Sequence, residues 1–459
     1  MNDTRESNNP QRIWEPYSPT AAEPWDLRRV VHLHRRVAFS ATWGEIQRDL
    51  KDGPEKSLDR LLSGKSRNEG VPADFDDWAG RLARAAVSAR SPQRLKGGWL
   101  NRMFFGPDPL GERLALMWHN HFATSNLKVN NLTAMLRQNE LFRQHARSGF
   151  DELLRAVIKD PAMLVWLDAD VNRKGQPNEN LGRELMELFT LGVGHYTESD
   201  VKESARCLTG WTVQNGLFQD DHTQHDDGEK TVLSRCGKWR GDDLLDILLE
   251  QPATAERLAW RLCDTFMAPG VVSRDDLKAL AVGLREQRLN VGWAVGKILR
   301  STAFFAERNI GGRILGPTEY VVSAARMLEL FDPAPSMMVL ADWIARLGQD
   351  LFYPPSVFGW LGGRNWISPR TAVQRGRLAE ALISGEFVGR AVALDAAALA
   401  RKHGYGKDYE EMLSFYLRLV LGSESTPDWR GRLTKSLGPK PDMSQVIALI
   451  LSTPEAQLG

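Results

Sequence analysis

Between Asn178 and Trp211 the chain reads NENLGRELMELFTLGVGHYTESDVKESARCLTGW, a spacing that admits little besides two helices joined by a tight glycine turn. At about 100° per residue, Leu181, Leu185, Leu188 and Phe189 share one apolar face. Asn180, Glu184 and Glu187 fall on a second stripe that also carries Leu191, and Met186 lies on a third side. A helix apolar nearly all round is expected to be buried. Two carboxylates on a buried stripe are costly unless they are paired, hydrogen-bonded, protonated or bound to a cation. Arg183 is the nearest partner in sequence, although within one helix it points away from Glu187. An internal salt-bridge network and a functional carboxylate pair both satisfy this pattern. Gly192 and Gly194 end the first helix. Thr197, with Asp200 three residues on, predicts the cap of the second, which ends at Gly210.

The rest of the chain supports a mostly α-helical class: one multi-helix body with long irregular loops and a small β-hairpin. Its 459 residues carry 59 Lys plus Arg against 58 Asp plus Glu, a net charge of +1. That balance offers no global attraction for nucleic acid or anionic membrane, so no nucleic acid is expected as a partner. Cys207, Cys236 and Cys263 stand too far apart for a metal knuckle or a disulfide framework, and a reducing compartment is expected. No apolar leader opens the sequence and no run reaches membrane-span length, which predicts no membrane span and a cytoplasmic location.

Residues 1–24 read as a mobile tail or as a strap lying on the body, and Trp14 and Tyr17 favour the strap. Residues 25–250 are expected to form a helical core carrying the site, and 251–385 a helical scaffold with a Tyr-Pro-Pro/Trp loop. Residues 386–459 form a C-terminal helical unit. Aligning Ser301-Thr302 with Ser452-Thr453 places Leu262 on Leu413 and Phe266 on Leu417, so 386–459 reads as a degenerate repeat of 256–306. From Trp25 a helix places Arg28, Arg29, His32, Arg35 and Arg36 on one face, first a solvated stripe and second a holder of phosphate or sulfate. His34, on the apolar side, reads as a hydrogen-bonded core histidine. Breaks are expected at Gly53-Pro54, Gly64, Gly70-Val71-Pro72, Ser91-Pro92 and Gly97-Gly98, and no phosphate-loop pattern occurs among them.

The chemistry-bearing residues outside the hairpin cluster in three places. His119 and His121 end a helix begun at Asp108-Pro109; they diverge by about 200° in continuous helix, so both reach one metal only if the helix stops near His119. Asp168, Asp170 and Asn172 form either an oxygen-ligand loop or a capped turn, without the rest of a calcium loop. After Trp211 a long polar loop carries His222, His225, Asp226 and Lys230, with one short strand pair expected around Gly216 and around 231–233. His225, Asp226 and Lys230 are expected to close over the site as proton carrier, ligand and anion partner. Further on, LFYPPSVFGWLGGRNWISPRT holds Trp360 and Trp366, a stacking platform if exposed and a core plug if buried.

The motifs WHNHFATS, PNENLGRELMELFTLGVGHYTESDV, ARCLTGW, HDDGEKT and YPPSVFGWLGGRNW together resemble the bacterial family labelled domain of unknown function 1800, from about Trp25 to about Ser384 with a weaker tail beyond. The resemblance implies no reaction. It implies that many members are exported and that an alkaline phosphatase- or sulfatase-like protein is encoded nearby as a partner. Residues within the matching patterns are His119, His121, Asn180, Arg183, Glu184, Glu187, His225, Asp226 and Lys230. The leading expectation is a metal-assisted or acid/base enzyme of hydrolytic type: Glu184, Glu187, His225, Arg183 and Lys230 would be catalytic, while His119, His121, Glu184 and Asp226 would hold a divalent cation. The alternative is a non-catalytic binding or assembly protein whose buried polar residues are structural.

Overall fold

The computed structural model describes residues 12–67, 71–390, 392–424, 426–438 and 441–459. The chain opens with α1 (Leu27–Val37), α2 (Trp43–Leu62), α3 (Phe75–Ser88), α4 (Pro92–Phe105) and α5 (Pro109–His121). Asp26, Thr42, Ser91 and Asp108 start four of these by accepting a first-turn backbone N–H. Gly53, at φ 81°, kinks α2 before Pro54. Gly97 and Gly98 do not break the chain as expected but lie inside α4. A side chain at 97 would meet Met338 at 3.1 Å, so this glycine serves a close helix approach.

The hairpin forms as α6 (Asn180–Glu184) and α7 (Glu198–Cys207), with Gly192 and Gly194 at positive φ and a Thr197/Asp200 capping box. One feature departs from the 100° reading. Leu185–Thr190 is a π-turn, in which Leu191 N–H reaches back to Met186 O at 2.9 Å and the Thr190 hydroxyl donates to Leu185 O at 2.6 Å. The wider turn breaks the Asn180/Glu184/Glu187/Leu191 stripe between its carboxylates. Two antiparallel strand pairs follow, β1 (Trp211–Gln214) with β2 (Leu217–Asp220), and β3 (Lys230–Val232) with β4 (Arg235–Gly237). Asn215 and Gly216 turn the first at positive φ, as an Asn-Gly hairpin requires.

Helices α8 (Pro252–Phe266), α9 (Arg274–Glu286) and α10 (Val291–Leu299) pack together. Near the C-terminus α11 (Tyr409–Leu421), α12 (Pro427–Leu437) and α13 (Met443–Ser452) follow in the same order. Residues 12–24 lie as a strap: Trp14 is buried with its indole donating to Asp276 O at 3.0 Å, and Tyr17 N–H donates to Arg300 O at 2.7 Å. The first eleven residues of the expected tail lie outside the described residues. One hydrophobic core runs from Trp14 to Ala456.

The basic face of α1 is not solvated. Arg29, His32, Arg35 and Arg36 are all buried, and only Arg28 stays half exposed beside Glu307. Arg36 donates to Phe266 O and Asn309 O, both at 2.9 Å, and Arg35 to Leu458 O at 2.7 Å and to Val420 O. These guanidiniums thus satisfy carbonyls at the ends of α8 and α11, groups that a helix cannot bond internally. His34 is the core histidine expected, 2.7 Å from Asp49.

Candidate functional site

Helix α5 runs unbroken through His121, so its two histidines face different neighbours. His119 Nε2 accepts the Phe352 N–H at 3.1 Å and is therefore the bare nitrogen of a neutral ring. The ring is enclosed by Trp99, Phe142, Phe352 and Trp360, and burial pulls its pKa down to about 3. His121 Nε2 instead donates to Phe189 O in the π-turn at 3.3 Å, which leaves its Nδ1 bare. Burial, then Arg261 and Arg257, hold His121 well below the ordinary histidine range.

Asn120 between them grips the loop that carries Trp360. Its amide oxygen accepts Trp360 N–H at 2.6 Å and its amide nitrogen donates to Trp360 O at 3.2 Å. Gly359 passes so close that a Cβ would stand 2.2 Å from Asn120 Oδ1 and 2.6 Å from Asn120 O, at φ 69°. Asn126 completes the clasp, donating its side chain to the Tyr353 hydroxyl at 2.9 Å and its backbone N–H to Phe352 O at 2.9 Å. Sequence reading missed Asn120; its signal was a polar residue between two histidines in a motif otherwise aromatic.

The clasped loop is both plug and lip. Trp360 and Trp366 are buried, whereas Phe358 is 60% and Leu361 77% exposed. Loop, α5 and α8 enclose a cleft of about 570 Å³. Four guanidiniums line it, those of Arg113, Arg257, Arg261 and Arg313, against the carboxylates of Glu319 and Asp264. Glu319 is already shared by Arg113 and Arg313. Arg257 makes only one hydrogen bond among the described residues, from Nε to Leu188 O at 3.3 Å, and lies over the Trp260 ring at 4.5 Å. Arg261 reaches Asp264 and Met117 O only at 3.4 Å. His121 also lines this cleft. None of these arginines stood out in the sequence, because they come from α5, α8 and the segment before Pro317, far apart along the chain.

The other expected site residues are held elsewhere. Arg183 pairs with Glu198 at 2.8 Å and Glu179 at 2.9 Å, not with the hairpin carboxylates. Glu187 accepts the Tyr196 hydroxyl at 2.7 Å. Glu184 has no hydrogen-bond or ion-pair partner among the described residues; burial first and Glu187 second push its pKa up to about 7, against the pull of Arg183. Asn180 donates to Asp168 at 3.0 Å, and Asn172 accepts Asn178 N–H and donates to Ala205 O, both at 2.9 Å, so these side chains are spent on neighbours, while Asp168 caps no helix with its side chain.

Among the described residues His225, Asp226 and Lys230 make no hydrogen bond or ion pair with Glu184 or Glu187; the first two tie their loop to the end of the hairpin's second helix through Thr209 and Arg206. The buried His225 donates from Nδ1 to Thr209 O at 3.0 Å. Asp226 takes the Arg206 guanidinium at 2.8 Å, which first among its neighbours draws its pKa to about 2. Lys230 is buried and spends its ammonium on Asp226 O and on Gly228 O at 3.2 Å. The expected metal set of His119, His121, Glu184 and Asp226 is therefore not assembled. His119 offers its lone pair to a backbone N–H and Asp226 its oxygens to an arginine. Among the described residues no group of three or more His, Cys, Asp or Glu side chains is arranged to hold a metal ion.

No helix among the described residues is long and apolar enough to cross a membrane. No curated protein and no solved structure matches the chain. One family model does, and its match continues past Ser384, where the motif resemblance thins, through the C-terminal helices. With residues 32–458 matched, the chain belongs to the family described as Protein of unknown function (DUF1800).

Proposed function

We propose that this chain is a binding protein for an anionic ligand, taken into the cleft between α5, α8 and the clasped loop. The observation that carries this reading is the surplus of guanidinium over carboxylate in the cleft, with Arg257 free to present its fork. A planar guanidinium recognises phosphate, sulfate or carboxylate through two parallel hydrogen bonds. Burial lowers the pKa values of Arg113, Arg257 and Arg261, yet Arg113, drawn down to about 10, stays charged at neutrality. The exposed Phe358 and Leu361 at the lip suit a ligand that joins its anionic group to an apolar or ring portion. In this reading the family motifs around His119 and Asn120 hold the wall in place, and those around His225 and Asp226 tie down a separate loop.

Titration calorimetry with phenyl phosphate tests the proposal, with benzyl alcohol as the uncharged control. Saturable binding of the phosphate alone is expected, weakened about tenfold or more in Arg257→Gln for loss of a charge-assisted hydrogen bond. Binding that ignores Arg257→Gln, or no saturable binding, overturns it.

A second reading makes the cleft a hydrolytic site, and one observation favours it: His121 lines the cleft as a neutral imidazole with an unengaged Nδ1. Such a ring can accept a proton from water attacking a bound ester. Turnover of 4-nitrophenyl esters that is lost in His121→Asn while phenyl phosphate still binds supports it; no turnover above the uncatalysed rate removes it. An alkaline phosphatase- or sulfatase-like partner handles the same ester chemistry, and co-purification from cells expressing both chains tests that association.

A further inference from the structure

A second chamber lies on the far side of α4, independent of the arginine cleft. It encloses about 870 Å³, within the range of small-molecule sites. Its walls are the rings of Phe75 and Trp78 from α3, Phe104 and Phe105 from α4, and Phe331. They form two aromatic groups: Phe75 and Trp78 lie 5.5 Å apart, and Phe104 lies 4.6 Å from Phe105 and 5.2 Å from Phe331. Trp78, Phe105 and Phe331 are only partly buried, so the chamber presents apolar surface that the fold itself leaves uncovered.

One end of the chamber is cationic. Glu45 is partly buried between Arg326, at 3.1 Å, and Arg67, at 3.8 Å. Burial would raise its pKa, but Arg326 and then Arg67 outweigh that and bring it to about 2, so it stays ionised. Arg48 stands at the same end with Nε on Asp49 at 3.0 Å, and its two terminal nitrogens have no partner among the described residues. Asp74 also lines the chamber, but it is largely exposed and pairs outward with Arg81 at 3.5 Å. Three guanidiniums thus meet one shared carboxylate and one turned to solvent.

We propose that this chamber is a second binding site, for a monocarboxylate with an extended apolar body, its carboxylate on Arg48 and its body against Trp78, Phe105 and Phe331. The charge complementarity selects the anion and the aromatic walls select the amphiphile. Arg48→Ala is a usable variant because Asp49, its internal partner, keeps His34 at 2.7 Å and Arg60. The experiment is calorimetric titration of the full chain with decanoate, and with decanol as the uncharged counterpart. Expected is one saturable decanoate site, with decanol weaker by about tenfold for lack of a charge-assisted hydrogen bond. Arg48→Ala should weaken decanoate by a similar factor and leave decanol unchanged. Trp78→Ser should weaken both, and Arg257→Gln neither. No saturable decanoate binding, decanol as tight as decanoate, or binding that responds to Arg257→Gln and not to Arg48→Ala would each overturn the proposal. The last of these would move decanoate into the arginine cleft and leave the reading of that cleft standing.

Discussion

His119→Ala separates a structural histidine from a metal-binding one. The substitution strips the acceptor from the buried Phe352 N–H, which costs about 1–3 kcal/mol for an unsatisfied donor. It also empties a ring-sized space between Trp99, Phe142, Phe352 and Trp360, at about 2–4 kcal/mol. Partial collapse of the site brings the sum to roughly 3–6 kcal/mol, a large share of a typical total of about 5–15 kcal/mol. At about 2.1 cal/mol/K per residue, a chain of 459 residues loses roughly 1 °C of Tm per kcal/mol, so a drop of about 3–6 °C is expected in calorimetry. His119→Gln retains an amide oxygen that can take the same N–H and should lose less than half as much. Because the Nε2 lone pair is taken up by the Phe352 N–H and the ring is enclosed, divalent cations should leave the Tm of both variants and of the parent unshifted at equal concentration. An alanine variant as stable as the parent, or a cation-dependent rise in Tm that vanishes in the alanine variant, would refute the reasoning.

Gly359→Ala must place a methyl 2.2 Å from the Asn120 amide oxygen at positive φ, so a loss of about 2–4 kcal/mol is expected. Hydrogen exchange should rise across 352–366 and not in α7. Glu184 carries the clearest pH signature: its pKa in the fold, about 7, lies above the ordinary 4.5, so the folded state holds its proton more tightly between those values. Stability from this group is complete below about pH 4.5 and is lost as pH rises through about 7. The Tm difference between Glu184→Gln and the parent should therefore shift in favour of the variant from pH 5 to pH 8, and a difference that is flat with pH would contradict it. Elemental analysis of protein purified without a histidine tag should find no stoichiometric metal that depends on both His121 and Asp226, since Asp226 is engaged by Arg206.

Local chemistry made the hairpin legible. Thr197, Asp200, Gly192 and Gly194 act through their own neighbours, and their spacing reports directly on caps and turns. The π-turn was not legible at a fixed 100° per residue, because its wider pitch shows only once Leu191 bonds Met186. The face of α1 misled for a related reason: Arg35 and Arg36 look like part of a solvated stripe until the carbonyls they satisfy, as distant as Leu458, are brought beside them. The motif residues could be picked out in the sequence, but position alone does not say whether His119 or Asp226 faces a ligand or a neighbour. The cleft arginines were invisible because no local pattern joins Arg113 to Arg257 and Arg313.

The placement of α1 also orders events during synthesis. Its arginines leave the ribosome early, but the acceptors they need arrive at residues 266 and 309 for Arg36 and only at 420 and 458 for Arg35. A guanidinium withdrawn from water without those carbonyls is strongly disfavoured, so α1 stays hydrated until the distant partners emerge. The first helix thus depends on residues near position 458: a chain truncated after residue 450 should keep α1 open to protease, and a chain that includes residues 451–458 should close it.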